Sequence, residues 1–116
     1  MEYMLLIYHN ESEKLPEATQ HQLFQEYMTF TQDLTKSGKN KGGAPLEQSA
    51  TATTVRVRNG KTTVTDGPFA ETKEQLGGYY LIEAKDLDDA IAIGARIPSA
   101  GWGSIEVRPI IVHPMP

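Results

Sequence analysis

Asp66, Glu71, Lys73 and Glu74 fall within one short run, Asp66-Gly67-Pro68-Phe69-Ala70-Glu71-Thr72-Lys73-Glu74, set between two strand-like segments. A carboxylate at a strand end can take a proton or anchor a polar ligand, and a nearby ammonium can steady the negative charge that forms. Asp66, Glu71 and Lys73 are therefore the first candidates for catalysis. His21 is the fourth, because imidazole exchanges protons near neutral pH. Arg108 and Glu106 alternate on the last extended segment, Arg56 lies on an earlier one, and Tyr80 belongs to an aromatic pair with Tyr79. These four are the candidate ligand contacts, the arginines for an anion and the tyrosine for an apolar body with a polar tip. With Trp102, the two tyrosines have the make-up of a small-molecule pocket. No set of histidines and carboxylates has the spacing of a metal site, and neither glycine pair, Gly42-Gly43 or Gly77-Gly78, has a phosphate-loop or dinucleotide context. No metal and no cofactor are expected.

Plainer readings stand beside these. Asp-Gly-Pro makes a turn unaided, since the aspartate bonds the following backbone, the glycine takes a positive φ and the proline fixes the next bend. Phe69 reads as a plug anchoring the loop in the core, Glu74 as a solvent-facing charge, and both glycine pairs as backbone bends. Glu71 and Lys73 are not required by the turn; they serve a site or clamp the loop on a second subunit through Arg56 or Arg108. His21 reads equally as an exposed or half-buried helix residue, and His9 and His113 are weaker candidates still.

The composition restricts the classes available. At 116 residues the chain suits one domain, and its 39% hydrophobic and 22% charged residues sit near globular averages. A net charge of −4 argues against a phosphate backbone as partner. The absence of cysteine removes disulfides, thiolate metal sites and cysteine nucleophiles together. The apolar run near the N-terminus is short and follows Glu2, unlike a signal peptide, and no stretch nears the roughly 20 apolar residues of a membrane helix. A cytoplasmic protein with no nucleic-acid or membrane partner is expected.

Residues 3–8, Tyr-Met-Leu-Leu-Ile-Tyr, are apolar on both alternating faces and predict a central strand. Pro16 opens a helix that runs to Gly38, with Leu23, Phe24, Tyr27, Met28, Thr31 and Leu34 as its apolar stripe. Glu17 and Lys36 suit its dipole. A short extended piece follows Gly42-Gly43. Residues 52–58 and 61–66 flank Asn59-Gly60, the usual two-residue hairpin turn, which sets Arg58 opposite Lys61 and Val55 opposite Val64. Residues 79–83 predict a second two-sided strand. Asp86 caps a helix over residues 87–96, with Asp89 in a weak capping box, and Pro98 ends it. The last strand sends Ile105 and Val107 one way and Glu106 and Arg108 the other, with Pro109 marking an edge. The order defines an α+β, ferredoxin-like βαββαβ fold with an inserted hairpin and two helices on one face of an antiparallel sheet. Two central strands then keep an apolar face that the helices cannot cover, which predicts a two-fold homodimer packed sheet on sheet.

Residues 1–8, 50–91, 95–98 and 103–110, with Asp66–Glu74 at their centre, resemble the DGPF subgroup of the YCII-related domain family. The resemblance implies a dimeric α/β barrel with a cleft between the sheets or beside the first helix. It also implies genes lying beside those of alternative sigma factors. Relatives in the broader family include dehydrochlorinase- or lyase-like enzymes with a histidine and an aspartate, and their fold resembles muconolactone isomerase. His21 matches the place of that histidine. The aspartate's place reads Arg96-Ile97-Pro98, so that carboxylate is absent and Asp66 or Glu71 is the candidate to stand in for it. Two function classes follow: a lyase- or isomerase-type protein binding a small molecule in a homodimer cleft, or a non-enzymatic accessory protein acting with a sigma factor or other protein.

Overall fold

A computed structural model describes residues 1–113. Its elements are β1 (Glu2–His9), α1 (Glu17–Lys36), β2 (Asn40–Pro45), β3 (Thr53–Arg58), β4 (Lys61–Asp66), β5 (Gln75–Glu83), α2 (Leu87–Ala95) and β6 (Ser104–Pro109). Short 3-10 turns lie at Ser49–Thr51 and Pro98–Gly101. This is the expected α+β order. The main sheet runs β2-β5-β1-β6, antiparallel throughout, and β3 pairs only with β4.

The two strands that are apolar on both sides are the central pair, because only there can both faces escape water. Tyr3, Leu5 and Ile7 of β1 join Ile82 of β5, Phe30 and Leu34 of α1, and Ala90 and Ile93 of α2 in one buried cluster. The helices thus cover a single face. On the other face Met4, Leu6 and Leu81 are half-buried, with Arg108 opposite Met4 and Glu106 opposite Leu6.

Both helix ends follow local chemistry. Gly38 at φ +74° closes α1 while its N–H donates to the Thr35 carbonyl and that of Lys39 to the Leu34 carbonyl, a Schellman pairing. Asp86 Oδ1 accepts from the Asp89 N–H at 2.9 Å at the start of α2. The Asp89 carboxylate reaches back to the Lys85 N–H at 2.9 Å, and that bond, aided by Lys39, holds its pKa below the ordinary aspartate range.

Three expectations are corrected. The stripe of α1 is rotated: Phe30 and Leu34 are buried, whereas Phe24 is 64% and Met28 48% exposed. The glycine pairs are not bends but lie inside strands, with Gly43 of β2 opposite Tyr80 and Gly78 of β5 opposite Pro45. Phe69 does not plug the core; it is 78% exposed.

The hairpin has the expected register, with Asn59 at φ 52° and Gly60 at φ 73° in its turn. It stands apart as its own two-stranded sheet. The described chain is a plate 48 × 47 Å across and 19 Å thick.

Candidate functional site

A groove of about 780 Å³ opens between α1 and the β2–β5 margin of the sheet. Its existence follows from the two corrections to α1 and the glycines. A β-branched pair at positions 43 and 78 would raise the sheet surface, whereas glycine leaves it low. A Cβ at Gly43 would lie 2.5 Å from the Tyr79 carbonyl oxygen, and one at Gly78 3.1 Å from the Ala44 carbonyl oxygen. The N-terminal half of α1 therefore stands over a low floor, and Leu23, Phe24, Tyr27 and Met28 line a wall instead of filling a core.

One end of the groove is closed by His9 and Trp102, whose rings lie 5.1 Å apart at 56°. Glycines make room for His9 and the end of β1 that carries it. A Cβ at Gly77 would sit 2.6 Å from His9 Nε2, and one at Gly103 would collide with the Tyr8 carbonyl oxygen. Glu11, Glu13, Lys14, Gln20, Asn40 and Gln48 also line the groove, and two hydroxyl pairs stand among its apolar side chains. The Tyr27 hydroxyl and Ser99 Oγ are 2.6 Å apart, as are Thr31 Oγ1 and the Tyr80 hydroxyl, and all four residues line the groove. In each pair either oxygen can donate, so each pair can present a donor or an acceptor to a bound oxygen. An apolar wall with a few convergent polar groups is the usual constitution of a small-molecule site.

Burial pushes the Tyr27 phenol above its ordinary pKa, against the lowering effect of the Ser99 hydrogen bond. Tyr27 is thus a neutral donor at physiological pH. Because its folded pKa exceeds the unfolded value of about 10, its contribution to stability is complete below pH 10 and falls as pH rises beyond it. Burial, with the Glu106 carboxylate beside it, also raises the Tyr8 phenol, so titration at 295 nm is expected to show two tyrosines ionising later than the others. Tyr27→Phe should remove one of these late phases and Tyr27→Phe/Tyr8→Phe both; a late phase of unchanged amplitude in Tyr27→Phe would assign it elsewhere.

Of the side chains singled out in the sequence, Tyr79, Tyr80, Trp102 and the weaker candidate His9 line this groove. The catalytic candidates Asp66, Glu71, Lys73 and His21 and the ligand contacts Arg56, Glu106 and Arg108 lie outside its lining. His21 is exposed on α1, with Nε2 at 3.2 Å from Gln25 Nε2. Asp66 ends β4 in an exposed position, and Glu71 and Lys73 are exposed in the following loop. None of the three takes part in an ion pair among the described residues. Gly67, at φ 95°, makes the expected bend and donates its N–H to the Ala52 carbonyl at 2.7 Å. Glu74, read as solvent-facing, is half-buried and accepts from Ser104 Oγ at 2.7 Å. Arg56 is exposed on β3. Arg108 and Glu106 share the uncovered sheet face, 3.5 Å apart, with the Tyr8 hydroxyl donating to Glu106 at 3.4 Å.

His9, Tyr27, Thr31 and Ser99 were not singled out for the groove. Only the cleft beside the first helix, implied by the family resemblance, pointed to their place. Among the described residues no three metal-ligating side chains gather, and no helix is long and apolar enough to cross a membrane.

The fold and the groove are those of a small ferredoxin-like α+β protein. The chain belongs to the YCII-related domain family, whose model matches residues 1–114. An uncharacterised protein of Rhizobium meliloti (strain 1021) is 35% identical over 117 aligned positions, covering 97% of this chain and 94% of the relative. Among solved structures, 5-chloro-2-hydroxyhydroquinone dehydrochlorinase of Burkholderia phenoliruptrix AC1100, in complex with 2,5-dihydroxybenzoquinone, superposes with a TM-score of 0.52 at 16% identity. That match covers 96% of this chain and 94% of the other, and it establishes a shared fold.

Proposed function

We propose that this DGPF-type, single-domain protein binds a small planar molecule bearing oxygen substituents in the groove beside α1, as a cytoplasmic homodimer. The observation that carries the reading is the joint arrangement of an aromatic end wall, His9 and Trp102, with the two hydroxyl pairs Tyr27–Ser99 and Thr31–Tyr80. The rings offer stacking to a flat ligand and the hydroxyls meet its oxygens. His9, beside Trp102 in the groove lining, is the side chain placed to pass a proton to or from such a ligand, which fits a lyase- or isomerase-type reaction. Asp66, Glu71 and Lys73 then act at the subunit contact and not in the groove.

Trp102 is the single tryptophan of the chain and lines the groove, so its fluorescence reports on occupancy. 2,5-Dihydroxybenzoquinone and hydroquinone serve as probes. The expected result is saturable quenching with a midpoint below about 1 mM, within ordinary substrate affinities, abolished in the groove-filling variant Thr31→Phe. Linear quenching with both probes, unchanged in Thr31→Phe, overturns the reading. The accessory-protein reading is favoured by one observation, the exposed Phe69 ring on the charged loop. Capture of a sigma factor by the tagged protein, lost in Phe69→Ser, would select it.

A further inference from the structure

We propose that the β3–β4 hairpin is an arm that lies against a second copy of this chain, clasping a dimer whose main contact is the uncovered sheet face. The inference rests on the homodimer proposed above and is independent of any ligand in the groove.

A two-stranded hairpin without a layer beneath it is at best marginally stable in water. This one nevertheless keeps an unbroken register from Thr53↔Asp66 to Arg58↔Lys61. Its base is tied to the turn that follows, where Thr54 Oγ1 donates to the Gly67 carbonyl at 2.8 Å. Beyond that base it lies in the open. Val55, Val57 and Val64, which share one face, are 60%, 58% and 64% exposed. Valines on a free hairpin are surface in want of a cover.

Charge selects the cover. The arm carries Arg56, Arg58 and Lys61 against a single acid, Asp66, at its base. It thus holds three of the chain's 11 basic and one of its 15 acidic side chains, leaving eight basic against fourteen acidic groups on the remainder. A basic arm on an acidic body complements the body of another copy, while that body repels a phosphate backbone.

Area sets the arm's share. With strands about 5 Å apart and a rise of about 3.3 Å per residue, the arm presents a face of roughly 200 Å² and the four-stranded sheet roughly 400 Å². A stable interface buries about 800 Å² of accessible surface per partner. The arm is too small to hold a dimer by itself, and the sheet face alone reaches only half of that area; with the copy's own arm and the patch covered by the partner's arm, each roughly 200 Å², the total comes to about 800 Å². Two-fold symmetry gives each copy one arm to lend and one to receive.

The test compares the native chain with a variant lacking Val55–Val64, in which Gly-Gly joins Thr54 to its cross-strand neighbour Thr65. Sedimentation equilibrium is expected to show a dimer whose dissociation constant rises by at least tenfold (~1.4 kcal/mol) in the shortened variant. A native chain that stays monomeric at micromolar concentration, or an unchanged constant, overturns the proposal. Arg56→Glu/Arg58→Glu/Lys61→Glu keeps the arm and alters only exposed positions. Its dimer should be weaker at low salt, with the gap narrowing as ionic strength rises; a salt-independent gap or none overturns the electrostatic pairing. A photoreactive phenylalanine analogue at Val57, in a mixture of isotope-labelled and unlabelled chains, should give mixed adducts. Adducts within one chain only, or with nucleic acid only, overturn it. Trp102 quenching by the probes is read separately, so failure of the groove leaves these outcomes interpretable.

Discussion

Leu34→Ala is expected to lower the free energy of unfolding by about 3 kcal/mol, whereas Phe24→Ala on the same helix shifts it by under about 0.5 kcal/mol. Both residues lie in the apolar stripe of α1, and by spacing alone they are equivalent. Leu34 is 1% exposed and Phe24 64%. The helix is buried through Phe30 and Leu34 near its C-terminal end, while its first half stands over the glycine floor. Removing the Leu34 side chain leaves a cavity in that anchor; removing the Phe24 ring deletes part of a groove wall already open to water. Urea titration of both variants checks the prediction, and the Leu34→Ala midpoint should also fall by about 10 °C on heating. Equal penalties at the two positions would mean that α1 docks along its whole length and the groove is closed in solution.

Gly43→Ala is expected to cost about 3 kcal/mol, and Gly42→Ala about 1 kcal/mol, although the two residues are adjacent and both have a strongly positive φ. Gly42 lies at φ +148° and Gly43 at φ +151°, so each substitution strains the backbone. Only at Gly43 does the new methyl also meet an obstacle, the Tyr79 carbonyl oxygen at 2.5 Å; around Gly42 the space is empty. The difference between the variants therefore isolates the clash from the dihedral strain. The damage should stay local. The Leu46 N–H, bonded to the Gly77 carbonyl at 2.9 Å, should exchange with solvent faster in Gly43→Ala, while the amides pairing β1 with β5 keep their protection. Equal costs, or exchange raised across the whole sheet, would place the penalty elsewhere than at the β2–β5 seam.

What could be read from the sequence is what local chemistry decides. The hairpin register follows from Asn59-Gly60 alone, the α2 cap from Asp86 and Asp89, and the central strands from two-sided apolar runs. The groove could not be read this way, because its parts are distant in sequence: Tyr27 meets Ser99 across 72 residues and Thr31 meets Tyr80 across 49. Glycine pairs carry no signal that separates a bend from a low strand surface. The stripe of α1 shows which residues are apolar, not whether they face a core or a groove. The run Asp66–Glu74 shows the converse limit: its turn is present as expected, yet Glu71 and Lys73 end in solvent and Glu74 holds the contact to Ser104. Spacing announces a charged loop without saying which charge finds a partner.

The two margins of the main sheet are unlike its faces. β2 offers outward a run of Lys41, Gly42, Gly43, Ala44 and Pro45, with two left-handed glycines and a residue that has no N–H; β6 ends in Pro109 beside charged Arg108 and Glu106. Neither margin presents the flat row of donors and acceptors that recruits another strand. Sideways growth of the sheet, the route to filaments, is thereby blocked at both ends.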